Sequence, residues 1–317
     1  MKRIAVIGAG SFGKNHVRVV RENPRGDLRF VVDADISRAR EQAGEGVRFT
    51  ANFHDIIGEV DAAILAVPTI QHAEVGCALL EAGIDVLVEK PIAPALDEAD
   101  QLIGAAERNG RILQVGHLER FNPAVIALEK AATLPLFFEI HRMSVFTPRS
   151  LDVDVVLDLM IHDLDIVLAL ARAELKDIRA AGISILSPKV DIANVRLEFA
   201  DGCIANLTAS RVSTEKVRKL RLFQPRQYIS LDYANQSAAV FTVGGPEGIG
   251  FEQLPVGPAE PLRLQFESFL DAIDSRKIVK LDGRTARHTL EIALAILDKI
   301  KEHTAKVEQT LNSGWKP

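Results

Sequence analysis

Cysteine is nearly missing from this chain. Two occur in 317 residues, Cys77 and Cys203, far apart and inside otherwise apolar segments. Two thiols cannot build a cysteine zinc cage with CxxC spacing, so that class of metal site is excluded and both read as reduced core residues. An excess of basic charge is also missing: 38 Lys and Arg stand against 43 Asp and Glu, for a formal net charge of -5. No window gathers cations as a phosphate-backbone footprint requires, which argues against nucleic acid as a partner. Long apolar runs are missing as well. The longest candidate, Asp61 to Ile70, falls well short of the ~20 residues that span a bilayer. Met1-Lys2-Arg3 followed by Ile4 to Ile7 has the flavour of a signal peptide, but Gly8 ends the apolar run after four residues, so it reads as a strand. A cytoplasmic protein is expected.

What is present is an ordinary globular balance, 47% hydrophobic and 26% charged. Size priors of roughly 100–200 residues per domain place two cores in a chain of this length. From Arg3 to Gly116, short β-rich runs alternate with helical stretches, the pattern of a parallel sheet covered by helices on both faces. Strands are expected at Arg3–Ile7, Leu28–Asp33, Val47–Thr50, Ala62–Val67, Asp85–Val88 and Arg111–Val115. Helices are expected at Lys14–Glu22, Gln71–Glu81 and Leu96–Arg108, with Gly83 and Gly110 stopping the last two. Beyond Gly116 the period changes. Phe121-Asn122-Pro123 opens a helix with proline in its first turn, and Val195, Leu197 and Phe199 alternate with polar neighbours up to an Asp201-Gly202 turn. Alternation resumes through Cys203, Ala205, Leu207 and Ala209, which is antiparallel sheet. More of it is expected around Lys219–Phe223 and Arg226–Leu231. Helices near Leu262–Asp274 and Thr285–His303 end the chain, and Gly244–Pro261 reads as a surface loop. The expected architecture is α/β: residues 1–119 as a doubly wound parallel-sheet domain, and 120–317 as an α+β domain with a large, mainly antiparallel sheet.

The first strand runs into Gly8-Ala9-Gly10-Ser11-Phe12-Gly13 and then into a helix. In that setting the glycines let the backbone turn and come close to a pyrophosphate, whose charge sits on helix N-terminal amides. Asp33, twenty residues past Gly13 at the end of the second strand, suits the two ribose hydroxyls of NAD and repels a 2′-phosphate. NADP stays open through Ser37 and Arg38, should Asp33 turn aside. Strand five ends in Glu89-Lys90-Pro91, placing a lysine at the carboxyl edge of the sheet, where it can donate to an alcohol or ketone oxygen. Asp154, Asp158, His162 and Asp165 fall at offsets of four, eight and eleven in an apolar stretch, as one helical stripe. Asp158 can then orient His162 while it takes a hydroxyl proton. A solvent-facing polar stripe, or a metal site of His162 with aspartates, would give the same spacing; hydride chemistry requires no metal, and none is expected. His117, Arg120 and Asn122, in the Gly116–Pro123 junction, are candidates to line a substrate crevice. Arg142 and Arg149 could add cationic groups for a phosphorylated or carboxylated substrate.

These motifs together resemble the glucose-fructose oxidoreductase/inositol dehydrogenase/MocA family over nearly the whole chain. The likeness is carried by Gly8–Gly13, by Val67-Pro68-Thr69 followed by His72, by Glu89-Lys90-Pro91, by Gly116–Pro123 and by Asp158-Leu159-Met160-Ile161-His162. The resemblance implies an N-terminal Rossmann domain, a C-terminal open-sheet domain through which a homodimer or homotetramer forms, and catalysis by Lys90, Asp158 and His162. It also implies a cofactor lined by Gly8, Gly10, Ser11, Phe12, Gly13, Asp33, Val67, Pro68, Thr69, His72, Glu89 and Lys90. A substrate would be lined by Lys90, His117, Arg120, Asn122, Arg149, Asp158 and His162. Within the family, the Gly116–Pro123 and Asp158–Asp165 segments look most like the nucleotide-sugar branch, which oxidises the 3-hydroxyl of UDP-N-acetylglucosamine. An inositol or free-sugar dehydrogenase is the enzymatic alternative, and a non-catalytic sensor of nucleotides the other. Leu159-Met160-Ile161 stands where many members carry a glycine-containing turn.

Overall fold

The structure is a computed structural model, and it describes residues 1–147, 153–245, 248–277 and 280–312. It divides into two compact units: residues 1–118 with 260–290, and residues 119–259 with the chain from 291 onward. Taken in chain order, the first unit opens with β1 (Lys2–Ile7), α1 (Gly13–Glu22), β2 (Gly26–Val32), α2 (Ile36–Ala43) and β3 (Arg48–Thr50). It continues with β4 (Ala62–Leu65), α3 (His72–Glu81), β5 (Asp85–Glu89), α4 (Leu96–Arg108) and β6 (Leu113–Gly116). The six strands are all parallel, in the order β3-β2-β1-β4-β5-β6. β4 and β5 are buried at every position, as expected of strands covered on both faces. The helices start where local chemistry tells them to. Asp35 caps α2 by accepting from the amides of Ser37 and Arg38, and α4 carries Asp97 and Glu98 in its first turn and Arg108 in its last, matching its dipole.

The second unit contains α5 (Pro123–Ala131), β7 (Phe137–Val145), α6 (Ile161–Leu170), β8 (Leu175–Ile183), β9 (Ile192–Phe199) and β10 (Ile204–Ser213). β11 (Val217–Gln224), β12 (Gln227–Asp232), β13 (Ser237–Gly245) and β14 (Gly248–Gln253) complete its eight-stranded sheet. The order is β14-β13-β12-β11-β7-β10-β9-β8, antiparallel except for the β10–β7 pair. One face supplies Phe138, Ile140, Val195, Leu197, Leu207, Leu220, Leu222 and Ile229 to a core shared with α5, α6 and the second half of the last helix. The other face carries a ladder of rings, Phe137, Phe223, Tyr228, Phe241 and Phe251, one from each of five neighbouring strands, with consecutive centroids 5.9, 5.4, 4.5 and 5.1 Å apart.

Two expectations are corrected here. The last helices, α7 (Pro261–Ser275) and α8 (Gly283–Asn312), do not both belong to the second unit. α7 packs Leu262, Phe266, Phe269, Leu270 and Ile273 into the core under β1 and β2, so 260–290 returns to the first unit. The stretch after Gly244 is not all loop either. Gly244 and Gly248 take positive φ, and Gly248–Gln253 forms an edge strand on β13. Among the described residues, no helix is long and apolar enough to cross a membrane, and no three His, Cys, Asp or Glu side chains gather as metal ligands.

Candidate active site

In the first unit the strand order reverses between β1 and β4, and the glycine loop leaves β1 at that point, where open α/β sheets take ligands. The three glycines have different reasons for being there. Gly8 has φ +89°, and a Cβ on it would lie 2.4 Å from the Ala66 carbonyl oxygen; one on Gly13 would lie 1.8 Å from the Gly8 carbonyl oxygen. Those two are required by the turn itself. A Cβ on Gly10 would meet nothing within 4 Å, so the bare backbone there faces open space, which is what a pyrophosphate needs in order to approach. Ser11 and Phe12 are exposed beside it, and Phe12 packs edge-on against His16. No side chain caps the start of α1, leaving its N-terminal end to a ligand.

Asp33, one residue past β2, is only 8% exposed. Its Oδ2 accepts from the Ala9 amide at 2.7 Å and its Oδ1 from the Asp35 amide at 2.9 Å, with the Arg38 guanidinium 3.2 Å away. Both oxygens are thereby fixed to the loops that would flank an adenosine ribose. Turning Asp33 aside for a 2′-phosphate would break two backbone bonds, so these residues fit NAD.

Val67, Pro68 and Thr69 follow β4 on a half-buried to exposed edge, and Lys90 leaves β5 half-buried. His72 and Glu89 are both held by partners within the protein. The His72 ring is 1% exposed, with Nδ1 3.0 Å from the Pro91 carbonyl oxygen and Nε2 3.1 Å from that of Val67; burial lowers its pKa. It ties the loop after β4 to the one after β5. The Glu89 carboxylate is buried 2.8 Å from His16 Nε2, and it fills the space a side chain at Gly116 would need. Both residues act beneath the surface, by fixing the segment that carries Lys90.

In the second unit, Val156–Met160 is a π-helical turn leading into α6. Asp158 lies in the π turn and His162 in the first turn of α6, and both are half-buried. An offset of four is close to one turn in either geometry, so the two remain on one face. Asp154 is not on that stripe. It precedes the helix, its carbonyl oxygen accepts from the Leu157 and Asp158 amides, and its Oδ1 accepts from the Val190 amide at 2.9 Å. Asp165 is buried against Arg120 instead.

The expected substrate contacts fare differently. Arg120 is buried, with Nε 2.8 Å from Glu129 Oε1 and its Nη1 3.4 Å from Asp165 Oδ2. Asn122 is the cap of α5, its Oδ1 accepting from the Ala124 amide and its Nδ2 donating to the Tyr233 carbonyl oxygen. His117 is buried at the end of β6. Arg142 is 1% exposed and held at 2.7 and 2.8 Å by both oxygens of Asp163 and at 3.0 Å by Glu119, over the face of Tyr233. Burial alone would disfavour its charge, but Asp163 and Glu119 outweigh that and raise its pKa well above the usual value. Burial first and Asp163 second keep the Tyr233 phenol protonated. Arg120, Asn122 and Arg142 therefore build the interior of the unit, because each has its hydrogen bonds answered there. Arg149 lies outside the described residues. One inner-face cation that sequence reasoning passed over is Arg218 of β11. Its parity with Leu220 and Leu222, both buried, was the available signal.

Residues 2–117 match the family described as oxidoreductases with an NAD-binding Rossmann fold, and residues 137–229 match the GFO/IDH/MocA C-terminal domain. A UDP-N-acetylglucosamine 3-dehydrogenase from Acidithiobacillus ferrooxidans is 36% identical over 301 residues, covering 93% of this chain and 96% of that one. An inositol 2-dehydrogenase from Saccharopolyspora erythraea is 27% identical over 85% of each. The solved structure of the Acidithiobacillus enzyme superposes with a TM-score of 0.90 at 35% identity, over 95% of this chain and 98% of its own.

Proposed function

The chain belongs to the GFO/IDH/MocA oxidoreductase family, with an NAD-binding Rossmann fold, and from that premise we propose that it oxidises the 3-hydroxyl of UDP-N-acetylglucosamine to a ketone. The observation that carries the reading is the similarity to the 3-dehydrogenase along almost the entire length of both chains, 36% identical. Inositol dehydrogenases match too, at lower identity.

The fit of Gly8–Gly13 and Asp33 to NAD supports these residues as its holders: Gly10 and the amides opening α1 toward the pyrophosphate, Asp33 toward the ribose hydroxyls. Bound NAD supplies the hydride acceptor. Lys90 donates to the reacting oxygen and steadies it, while His162 takes the hydroxyl proton. Asp158, one helical turn earlier, orients the ring and stabilises its protonated form. Two copies of the chain associate through the ring ladder of the open sheet face in this reading, in the cytoplasm, as a dimer or tetramer. The test is NADH formation by purified protein with UDP-N-acetylglucosamine, free N-acetylglucosamine or myo-inositol. Reduction with the UDP-sugar alone is the expected result; reduction with inositol alone would move the chain to the polyol branch.

A further inference from the structure

Arg142 and Arg218 sit directly opposite each other in the β7–β11 ladder, so their side chains leave the sheet on the same inner face. Their electrostatic situations differ sharply. Arg142 has two carboxylates in hydrogen-bond contact. Arg218 is half-buried, its Nε is shielded from solvent, and it makes no hydrogen bond or ion pair with any described residue. Its backbone is fixed all the same, since its amide and carbonyl lie in the ladder and the Tyr233 amide donates to its carbonyl oxygen at 3.1 Å. Burial and the neighbouring Arg142 cation both disfavour its charge, and Glu119, Asp163 and Asp158 favour it only from a distance. A shielded Nε–H without a partner costs free energy unless an acceptor completes it. Its ladder neighbour Arg142 holds Asp163, the residue after His162, which places Arg218 beside the start of α6.

We infer that Arg218 is a specificity-determining residue that binds the diphosphate of a nucleotide-sugar substrate. This rests on the reading of Asp158 and His162 as the reacting centre. In a nucleoside diphosphate sugar the β-phosphate is bonded through the anomeric oxygen to C1, two ring bonds from C3. A hydroxyl at C3 placed against His162 therefore brings the diphosphate close by. A planar guanidinium matches two phosphate oxygens at once, and the internally paired Arg142 is not free to do so. Neutral sugars and inositols carry no group for Arg218, so it would discriminate against them.

The experiment reads binding and turnover separately. UDP is titrated calorimetrically into wild-type, Arg218→Gln and Arg218→Lys protein, each saturated with NADH so that the cofactor site is filled. UDP should bind Arg218→Gln about 10- to 100-fold more weakly than wild type, with Arg218→Lys in between, on the magnitude of charge-assisted bonds. The KM for UDP-N-acetylglucosamine should rise in parallel with little change in kcat or in NAD affinity, the signature of lost uniform binding. As a second measurement that needs no variant, UDP should protect Arg218 of the wild type from phenylglyoxal, read by peptide mass spectrometry. Equal UDP affinity in wild type and Arg218→Gln, or modification of Arg218 unaffected by UDP, would overturn the inference whatever the reaction. Wild type that binds UDP through Arg218 yet forms no NADH with UDP-N-acetylglucosamine would overturn the proposed reaction and leave the diphosphate site standing.

Discussion

Asp191→Asn is the substitution whose consequences are best defined by the geometry. Asp191 is fully buried at the start of β9, and its Oδ2 accepts from the amides of Ile185, Leu186 and Ser187 at 2.7, 2.6 and 3.0 Å, while Ser187 Oγ donates to its Oδ1 at 2.7 Å. These bonds overcome the effect of burial and hold the carboxyl at about 2 rather than 3.8. The folded-state pKa is depressed, so the associated stability is fully present above 3.8 and is lost as pH falls from there toward 2. At ~1.36 kcal/mol per pKa unit, the difference amounts to at most about 2.4 kcal/mol at neutral pH, of which linkage leaves about half at pH ~3. An asparagine amide mimics the neutral acid, so Asp191→Asn should lose about 2 kcal/mol in urea unfolding near neutrality and about 1 kcal/mol near pH 3. Activity should fall as well. The loop that Asp191 gathers ends at Val190, whose amide donates to Asp154, and Asp154 in turn accepts from the amide of Asp158. A stability gap that stays the same at both pH values would show that the carboxylate charge contributes nothing and refute the reasoning.

Three further outcomes concern the first unit. Lys90→Met should lower kcat by about 10²- to 10⁴-fold, the usual worth of a positioned proton donor, while NAD still binds; near-normal turnover would remove Lys90 from the chemistry. Gly10→Ala and Gly13→Ala should separate: the first leaves thermal stability intact but weakens NAD binding, because its Cβ enters open space, and the second destabilises the fold, because its Cβ would meet the Gly8 carbonyl. A pair of variants that both bind NAD normally would contradict the cradle. Asp33→Ala should weaken NAD by about tenfold or more, on the worth of hydrogen bonds to a charged group, and NADP by less, since Arg38 is released. Equal loss of the two cofactors, measured by titration, would take discrimination away from Asp33.

The parts legible in the sequence are those governed by local period and turn chemistry. β1, the glycine loop and α1 follow from apolar alternation interrupted by Gly8, and α5 follows from Asn122-Pro123. The parity of Val195, Leu197, Ala205 and Leu207 set the inner face of β9 and β10 correctly. What the sequence hid is non-local. Nothing in Leu262–Asp274 says which core its apolar stripe will enter, because Phe266 and Phe269 would suit either one. The π turn was hidden too, since an i, i+4 spacing reads alike in an α- or π-helical turn.

The arginines show the limit most clearly. Arg120, Arg142 and Arg218 are the same residue type, in segments of similar apolar content, and a phosphate contact could be assigned to any of them from spacing alone. Charge matching decides, and it depends on residues 9 to 45 positions away in the chain: Asp165 and Glu129 for Arg120, Asp163 and Glu119 for Arg142. A buried arginine with both of its faces answered by carboxylates has no capacity left for a ligand, and removing it would leave two buried charges uncompensated, at a cost of several kcal/mol. Such a residue is expected to be indispensable for folding and silent in recognition. An inner-face arginine with no carboxylate in contact has the opposite profile, because its fixed backbone and unanswered charge are the conditions under which an anionic ligand gains the most from binding.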